Sequence, residues 1–341
     1  MNQHTIVELH GDGISAELSE SVHTISEALG GKLRFEAIDL SQENRDAEGD
    51  SLYEHAVQQM GYHKVALKYP TATTGVSPNK VLRERCQFSV IHRPVCSIPG
   101  IETNFTEQLN IDVVRVATGG TYDDAGQRLG PDTAVSLRVI SRHPCRHASR
   151  FAFKLAMQRK TGVVSTSKWT IQKVTDGFFE EICDDVSKDY PGIPYRRELF
   201  DALLAGIIMN PERYGVIVCP NEYGDFLSDT ACGLIGSIGL GDSSSYAFDH
   251  EGHVTIAMFD PSGGTAPDIA GKDLANPTAA LLALSNMLRH LEETDAAEAL
   301  RSALFGAIAD GEKTRDIGGD LGTRAFTEVV RSRLISLMSG S

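Results

Sequence analysis

A regular alternation between short apolar segments and longer amphipathic segments is the feature that most constrains how this chain folds. Residues 111–116 and 214–219 have the length and composition of buried strands. Residues 15–28 and 323–338 have the apolar period of helices that pack one face against a core. Chains that alternate strands and helices in this way form α/β domains. We therefore predict an α/β fold.

The length of the chain sets the number of domains. It has 341 residues, which is enough for about two domains. No run rich in proline or serine divides the strand-like and helix-like segments into two blocks. We therefore expect any two domains to be interleaved in the sequence.

Composition and charge limit the classes of partner. The net charge of −14 argues against nucleic acid, which proteins recognise with basic surfaces. No apolar run approaches the ~20 residues needed to span a bilayer, so no membrane partner is predicted. The six cysteines have neither C-x-x-C nor zinc spacing, which favours free thiols. Because strand-like residues 6–9 follow the start directly, without a signal peptide, we expect a cytoplasmic protein.

Two carboxylates follow the apolar run at residues 214–219. Asp225 and Asp229 are four residues apart, so a helix would place both on one face. The step from strand to helix would put them at the carboxyl edge of a sheet, where α/β proteins bind ligands. Oxygen ligands suit Mg²⁺ or Mn²⁺ better than zinc. A pair of solvated surface acids is the alternative that this motif alone leaves open.

Three arginines are candidates for binding an acidic metabolite. Arg83, Arg93 and Arg115 flank predicted elements, and guanidinium groups bind carboxylates through paired hydrogen bonds. Ser77 and Asn79 precede Arg83 on the same short segment and would add neutral hydrogen bonds. Taken singly, each arginine also fits a surface ion pair.

Candidates for proton transfer and nucleotide binding follow other strand-like segments. Tyr122 lies after a glycine turn and Lys168 after residues 162–166, where they could donate and accept protons. A half-buried tyrosine and a lysine whose stem packs on the surface are the structural alternatives. The small-residue loop at residues 263–268 would let a nucleotide approach backbone N–H groups.

In their order along the chain, these segments resemble the β-decarboxylating dehydrogenases, a superfamily that includes isocitrate, isopropylmalate, homoisocitrate and tartrate dehydrogenases. The resemblance covers nearly the whole chain and is closest to the NAD-dependent isocitrate dehydrogenases. The matching stretches are Gly11-Asp12-Gly13-Ile14, Ser77-Pro78-Asn79 through Arg83, His92-Arg93-Pro94-Val95, Thr118-Gly119-Gly120-Thr121-Tyr122, Asn221 through Asp229, and Thr265-Ala266-Pro267-Asp268 through Asn276.

The resemblance implies a two-domain fold of the isopropylmalate dehydrogenase type, which is not a Rossmann fold. The large domain would comprise residues 1–98 and 250–341 and carry the cofactor loop. The small domain, residues 99–249, would carry the metal ligands and the dimer interface. Residues 11–14 superficially match a Rossmann phosphate turn, but in this fold they would not bind pyrophosphate.

The resemblance also implies roles for single residues in the oxidative decarboxylation of a 2-hydroxy acid. Asp225 and Asp229 would hold Mg²⁺ or Mn²⁺ with Asp201 of the partner subunit, so that a homodimer shares its active sites. Tyr122 would be the proton donor and Lys168 of the partner subunit the base. The substrate would be bound by Ser77, Asn79, Arg83, Arg93 and Arg115.

The cofactor implied by the resemblance is NAD. Asp268 can accept hydrogen bonds from ribose hydroxyls and would repel the 2′-phosphate of NADP. Gly263 replaces a superfamily histidine and Thr170 an asparagine, which indicates altered substrate or weaker cofactor binding. The residues expected to bind NAD are Gly264, Thr265, Ala266, Asp268, Ile269 and Asn276.

Resemblance leaves the substrate open. Ser77 and Asn79 are the pair that isocitrate enzymes use for the γ-carboxylate, so isocitrate is the first expectation. Homoisocitrate, phosphonomethylmalate, isopropylmalate and tartrate are alternatives. A non-catalytic regulatory subunit is an alternative of another class, but such subunits usually lose the tyrosine, lysine or aspartates that this chain keeps.

Overall fold

The computed structural model describes residues 3–123 and 125–339. Its strands are β1 (His4–His10), β2 (Leu33–Asp39), β3 (Val65–Lys68), β4 (Val90–Cys96), β5 (Asn110–Val116), β6 (Gly126–Arg128), β7 (Ala134–Ser136), β8 (Val163–Ser167), β9 (Tyr195–Leu199), β10 (Val216–Cys219), β11 (Asp242–Phe248) and β12 (Val254–Pro261). Its α-helices are α1 (Ser15–Ala28), α2 (Gln42–Glu48), α3 (Asp50–His63), α4 (Pro78–Arg85), α5 (Arg142–Arg159), α6 (Thr175–Ser187), α7 (Phe200–Met209), α8 (Asn221–Leu234), α9 (Thr278–His290), α10 (Thr294–Ala309) and α11 (Thr323–Ser339).

Ten strands form one sheet in the order β2-β1-β3-β12-β11-β4-β5-β10-β8-β9. Neighbouring strands are parallel from β2 to β12 at one end of the sheet and from β5 to β9 at the other. The pairs between them, β12–β11, β11–β4 and β4–β5, are antiparallel. Strands β6 and β7 form a separate antiparallel hairpin. This mixed sheet with helices packed against it confirms the predicted α/β class. The division into two interleaved domains stays a prediction.

The core lies between the sheet and its helices. Helix α9 packs against β11 and β12 and also against α1 and α10. Its residues 278–285 are all buried, which fits the lack of charged side chains in this part of the helix. Each fully buried leucine there contributes about 1.5–3 kcal/mol by leaving water. All six cysteines are free, as predicted. In the described part of the chain, no helix is long and apolar enough to cross a bilayer.

Most helices and strands that the sequence pattern predicts are present with ends shifted by a few residues, but one predicted strand is wrong and two predicted helices, at residues 198–209 and 171–188, begin later than expected. Residues 136–141 were predicted as a strand, but β7 ends at Ser136 and Val139 forms only an isolated bridge to Gly120. The predicted helix at residues 198–209 begins only at Phe200, because Glu198 and Leu199 pair with β8 at the sheet edge. Residues 171–174 precede α6 in a turn that the carbonyl of Lys168 closes.

Strands β11 and β12 were not predicted. Strand β11 has the sequence DSSSYAF and lies between β12 and β4, with its first six residues buried. Its three serines give it a loop-like composition, although small side chains fit a central strand. Composition alone therefore conceals this strand.

The sheet brings the candidate residues to one edge. Strands β5, β10 and β8 are parallel neighbours, so their carboxyl ends lie side by side. Tyr122 follows β5, Asp225 and Asp229 follow β10, and Lys168 follows β8. Ligands bind at such an edge in α/β sheets.

Candidate active site

Asp225 is the centre of the site. It lies in the second turn of α8, which follows Pro220 at the end of β10. Its carboxylate accepts a hydrogen bond from the hydroxyl of Tyr122 at 3.0 Å and another from Arg115. Nη1 of Arg93 lies 3.4 Å from Asp225 and 3.1 Å from Asp229. Residues predicted to act on metal, proton and substrate therefore meet at one carboxylate.

The direction of the Arg115 side chain is fixed by the start of α8. The guanidinium is buried, and its Nε donates to Oδ1 of Asn221 at 2.8 Å. Its carbon atom Cζ lies 5.5 Å from the centre of the Tyr122 ring. A side chain at Gly224 would overlap Cβ of Arg115 at 2.6 Å, so only glycine admits this close approach. The N-E-Y-G-D segment thus holds both the carboxylate and its arginine.

The charges around Asp225 shift its pKa and that of Tyr122 in opposite directions. Burial raises the pKa of Asp225, but Arg115 and Arg93 outweigh burial, so the pKa is lowered below its usual value. Burial and the neighbouring carboxylate of Asp225 raise the pKa of Tyr122. At neutral pH the site therefore holds an ionised carboxylate and a protonated phenol.

Arg83 points toward the same region without an internal partner. In the part of the chain that is described, its guanidinium has no hydrogen bond or ion pair. Burial and the nearby Arg115 and Arg93 lower the pKa of Arg83 to about 10. Arg93 and Arg115 are paired with Asp225, so Arg83 is the member of the three that has no acidic partner among the described residues. Asn79 is exposed and lies one turn before Arg83 on α4, and half-buried Ser77 precedes that helix.

Lys168 and Asp201 form a second, separate pair. Nζ of Lys168 donates to Oδ1 of Asp201 at 2.8 Å. This hydrogen bond lowers the pKa of Asp201, whose side chain is 69% exposed. Neither residue contacts Asp225 or Asp229 within the described chain. Among the described residues, the fold of a single chain therefore does not bring Lys168 and Asp201 to Asp225 and Asp229.

Asp225 and Asp229 fit a hard divalent cation only in part. Both carboxylates lie within reach of one guanidinium, and oxygen donors are what Mg²⁺ and Mn²⁺ prefer. Across residues 3–123 and 125–339, no three His, Cys, Asp or Glu side chains are arranged to hold a metal. The chemistry of the two donors therefore fits the predicted ion.

A buried ionic network behind the site was missed in the sequence. Arg138 forms ion pairs with Asp176, at 2.8 Å, and with Glu222. Asp176 also accepts the backbone N–H of Lys168 at 2.8 Å and the hydroxyl of Tyr223 at 3.1 Å. These residues come from separate elements, and singly they resemble surface charges. No pattern in the sequence indicates that these residues contact one another.

The other end of this network orients the turn before Tyr122. Oε1 of Glu222 accepts the backbone N–H of Thr121 at 3.3 Å and its hydroxyl at 3.1 Å. Gly120 has φ +70°, and a Cβ there would overlap the Glu222 carboxylate. The G-G turn is therefore needed for both its backbone conformation and this close contact. The network links the backbones that carry Tyr122 and Lys168.

The predicted cofactor loop packs on the turn after β1. The N–H of Ile14 donates to the carbonyl of Thr265 at 2.9 Å, and a Cβ at Gly13, which has φ +60°, would overlap that carbonyl. Glu17 accepts the N–H groups of Gly271 and Asp273 at 3.1 and 2.9 Å. Residues 11–14 therefore support the loop.

The residues of the predicted cofactor loop differ in their exposure and in the hydrogen bonds that they already make. Gly264 and Asp268 are exposed, and Thr265 and Ile269 are half-buried. Ala266 has φ +38°, an uncommon value outside glycine. Asn276 already donates to Asp316 at 2.9 Å and accepts the N–H of Thr278, the first residue of α9, at 3.0 Å. A Cβ at Gly263 would meet open space, which leaves room where the superfamily has histidine.

Comparison with known proteins assigns the family. The family model described as isocitrate/isopropylmalate dehydrogenase matches residues 5–330. This chain belongs to that family. The Saccharomyces cerevisiae mitochondrial isocitrate dehydrogenase [NAD] subunit 2 is 35% identical over 97% of this chain and 90% of its own length. The Arabidopsis thaliana mitochondrial isocitrate dehydrogenase [NAD] catalytic subunit 5 is 33% identical over 95% of this chain and 87% of its own length.

A solved structure agrees with the sequence comparison. The crystal structure of isocitrate dehydrogenase from Methylococcus capsulatus superposes with a TM-score of 0.89 and 31% identity, over 97% of this chain and 99% of that one. Membership of the isocitrate/isopropylmalate dehydrogenase family confirms the predicted superfamily, the predicted fold type and the predicted class of enzyme, a dehydrogenase acting on a CH–OH group.

These comparisons contradict one prediction and leave another unconfirmed. The predicted cytoplasmic location is wrong, because these relatives are named as mitochondrial and point to that compartment instead. The prediction was based on the residues before the first strand and on the spacing of the cysteines, and neither feature distinguishes the two compartments. The relatives are also named as subunits, so the predicted homodimer is not confirmed.

Proposed function

We propose that this chain catalyses the NAD-dependent oxidative decarboxylation of isocitrate or a close analogue. The observation that carries the proposal is the convergence of Tyr122, Arg115 and Arg93 on Asp225. This arrangement combines a proton donor, a carboxylate clamp and an ionised acid within one hydrogen-bonded group. The names of the relatives support isocitrate as the substrate.

The arginines would bind the carboxylate that leaves as CO₂. Arg83 has no internal hydrogen bond or ion pair among the described residues, so a substrate carboxylate would satisfy it and relieve its repulsion with Arg93 and Arg115. Paired guanidinium–carboxylate hydrogen bonds fix orientation as well as charge. Ser77 and Asn79 precede Arg83 and would contact the γ-substituent.

Tyr122 and Lys168 would carry the protons. Tyr122 is protonated and held by Asp225 at 3.0 Å, so its hydroxyl can donate to the carbon that loses CO₂. Lys168 of the partner subunit would accept the proton of the substrate's 2-hydroxyl. Within one chain its Nζ is held by Asp201, which supports a shared role for these two residues in a neighbouring site.

Metal and cofactor would be held by residues already described. Asp225 and Asp229, with Asp201 of the partner subunit, would hold Mg²⁺ or Mn²⁺. When bound, such an ion acts as a Lewis acid toward the oxygens of the substrate. NAD would lie on Gly264, Thr265, Ala266, Asp268, Ile269 and Asn276, and the exposed carboxylate of Asp268 favours NAD over NADP by repelling a 2′-phosphate.

The shared residues require at least two chains. A homodimer with two shared sites is the simplest assembly, and the subunit names of the relatives support a hetero-oligomer as an alternative. In a hetero-oligomer, this chain could supply residues to another subunit's site and act as a non-catalytic partner. Turnover by the purified chain alone distinguishes the two assignments.

A panel of 2-hydroxy acids tests the function. Purified protein is assayed with Mn²⁺ and NAD⁺ or NADP⁺ on isocitrate, homoisocitrate, 3-isopropylmalate, tartrate and phosphonomethylmalate. We expect isocitrate with NAD⁺ to give the highest kcat/KM. A best rate with 3-isopropylmalate would refute the assignment of Ser77 and Asn79. No turnover on any member, at full metal and cofactor, would favour the non-catalytic alternative.

A further inference from the structure

A groove separates one face of α5 from the hairpin that joins β11 to β12. It contains a cavity of about 520 Å³ and an adjoining cavity of about 310 Å³, and both are lined by His147 and Phe248. We call this the α5 groove. Small-molecule sites span roughly 300–1,000 Å³. The α5 groove is therefore large enough for a metabolite.

One wall of the α5 groove is a stripe of basic side chains. His143, His147, Arg150 and Lys154 recur at intervals of three or four residues along α5 and line the two cavities. Such spacing places them on one face of the helix. The opposite face packs into the core through Ala148, Ala152, Phe153 and Ala156. The helix is thus amphipathic with a cationic outer face.

The cations of this stripe are not neutralised by the described chain. Arg150 and Lys154 have no hydrogen bond or ion pair in residues 3–123 or 125–339. Arg159, at the end of the same helix, is instead paired with Asp112. In a chain of net charge −14, unpaired cations facing a cavity indicate an anionic ligand.

The acidic groups near the α5 groove do not neutralise Arg150 and Lys154. None of the described residues lining the smaller cavity carries a carboxylate. In the larger cavity, Asp249 accepts the N–H groups of Glu251 and His253, both at 2.9 Å, and Glu84 is exposed. The smaller cavity is therefore the more electropositive end.

The floor of the α5 groove is aromatic. The ring of His147 lies 5.1 Å from that of Phe248, and its Nδ1 is hydrogen-bonded to Oγ of Ser89 at 3.0 Å. Phe88 lines the larger cavity and Phe151 the smaller one. Rings held in place in this way offer a stacking surface for a flat ligand.

We propose that the α5 groove is a second ligand site, which takes an aromatic ring carrying a phosphate or carboxylate group. The ring stacks on Phe248 and His147, where the two cavities meet. The anionic group is bound by Arg150 and Lys154 in the smaller cavity. Both features are needed, because Phe248 supplies no charge and Arg150 and Lys154 supply no flat ring surface.

The α5 groove also contacts the proposed substrate site. Arg83 and Thr118 line the far wall of the larger cavity, and Arg83 is one of the three arginines proposed to bind substrate. An occupied groove therefore alters the position or charge environment of Arg83. Because Arg83 binds the substrate in the proposed function, on which this step rests, a ligand in the groove is expected to change the KM for the hydroxy acid.

Isothermal titration of the purified full chain with 1-naphthyl phosphate tests the site without requiring turnover. We expect saturable binding with one ligand per chain. Affinity should fall at least about tenfold in Arg150→Ala/Lys154→Ala, which removes two charge-assisted hydrogen bonds. Arg146→Ala, an exposed arginine of α5 outside both cavities, is the matched control and should bind as the unaltered protein does.

Related probes test the contributions of the aromatic ring and of the anionic group to binding one at a time. Weaker binding of 1-naphthol and of inorganic phosphate supports the proposal, and 1-naphthoate shows whether a carboxylate replaces the phosphate. Equal affinity of the double variant and the unaltered protein, or of inorganic phosphate and 1-naphthyl phosphate, would overturn it. A probe-dependent KM that disappears in the double variant would support the link to Arg83. Binding without any turnover would refute the proposed function and leave the site intact.

Discussion

Tyr122 and Asp225 are joined by a hydrogen bond of 3.0 Å although 103 residues separate them in the sequence. The phenol donates, and the carboxylate is kept ionised by Arg115 and Arg93 despite burial. Because the same carboxylate is a candidate metal ligand, metal binding would compete with this hydrogen bond. Release of Tyr122 would then accompany assembly of the site.

Replacing Tyr122 with phenylalanine tests its role as proton donor. The ring and its contact with Arg115 would remain, and only the hydroxyl is lost. We expect kcat to fall by roughly 10²–10⁴, the usual contribution of a general acid, with little change in KM. The melting temperature should not change, because the side chain is 37% exposed. Tyr62→Phe, at a residue 78% exposed and outside the site, is the control, and an equal kcat for both variants would contradict the role.

Removing the charge of Asp225 tests the metal site. For Asp225→Asn, we expect the Mn²⁺ concentration at half-maximal activity to rise on the order of 10–100-fold. Direct calorimetric titration with Mn²⁺ checks the same change without turnover. Asp185→Asn alters a carboxylate whose partner is Lys188 on the surface and should leave Mn²⁺ binding intact. Unchanged Mn²⁺ affinity in Asp225→Asn would exclude this carboxylate as a ligand.

The carboxylate of Asp268 is expected to set cofactor preference. In Asp268→Asn the repulsion of a 2′-phosphate is lost, so the ratio of kcat/KM for NADP⁺ to that for NAD⁺ should rise about tenfold. Asp268→Glu keeps the charge and should keep the preference for NAD⁺. The comparison requires only initial rates with the two cofactors. A preference for NADP⁺ in the unaltered protein would already refute the argument.

The network behind the site predicts a loss of stability. Glu222→Gln keeps the size of the side chain but leaves buried Arg138 with Asp176 as its remaining acid. We expect the free energy of unfolding to fall by about 1–3 kcal/mol, because Arg138 loses one of its two acidic partners in a site that water does not reach freely. Urea denaturation measures this loss. Glu212→Gln, at an exposed position, should cost less than about 0.5 kcal/mol, and a similar small cost at Glu222 would contradict the network's importance.

A buried carboxylate on β1 predicts a pH dependence of stability. Glu8 accepts hydrogen bonds from Ser19 and Tyr69 and contacts His23 at 3.0 Å. The hydrogen bond to Glu8 raises the pKa of His23 above its ordinary value of 6.5, so folding favours the protonated ring. This contribution is fully present below about pH 6.5 and is lost as the pH rises through the raised pKa.

His23→Gln measures the contribution of that proton. The difference in unfolding free energy between the unaltered protein and His23→Gln should be larger at pH 5.5 than at pH 8.5. A difference that grew with pH would contradict the assignment.

The sequence by itself determined the α/β class, the superfamily and the identities of the candidate residues. These are local properties: a hydrophobic period sets a helix or strand, and motifs such as N-E-Y-G-D keep their order and spacing along the chain. Residues 15–28 and the position of Asp225 in a helix could be predicted for this reason. The shared edge of β5, β10 and β8 then brought Tyr122, Asp225 and Asp229 together as expected.

Tertiary structure alone decided the features that depend on distant partners. Arg138, Asp176 and Glu222 form one network because three elements pack against each other, and no local pattern records that packing. Strand β11 is a central strand because small serines fit between its neighbours, although its composition is that of a loop. The stripe on α5 becomes a cavity wall only where the β11–β12 hairpin faces it. Local sequence sets which chemistry each residue carries, and long-range packing sets which residues meet.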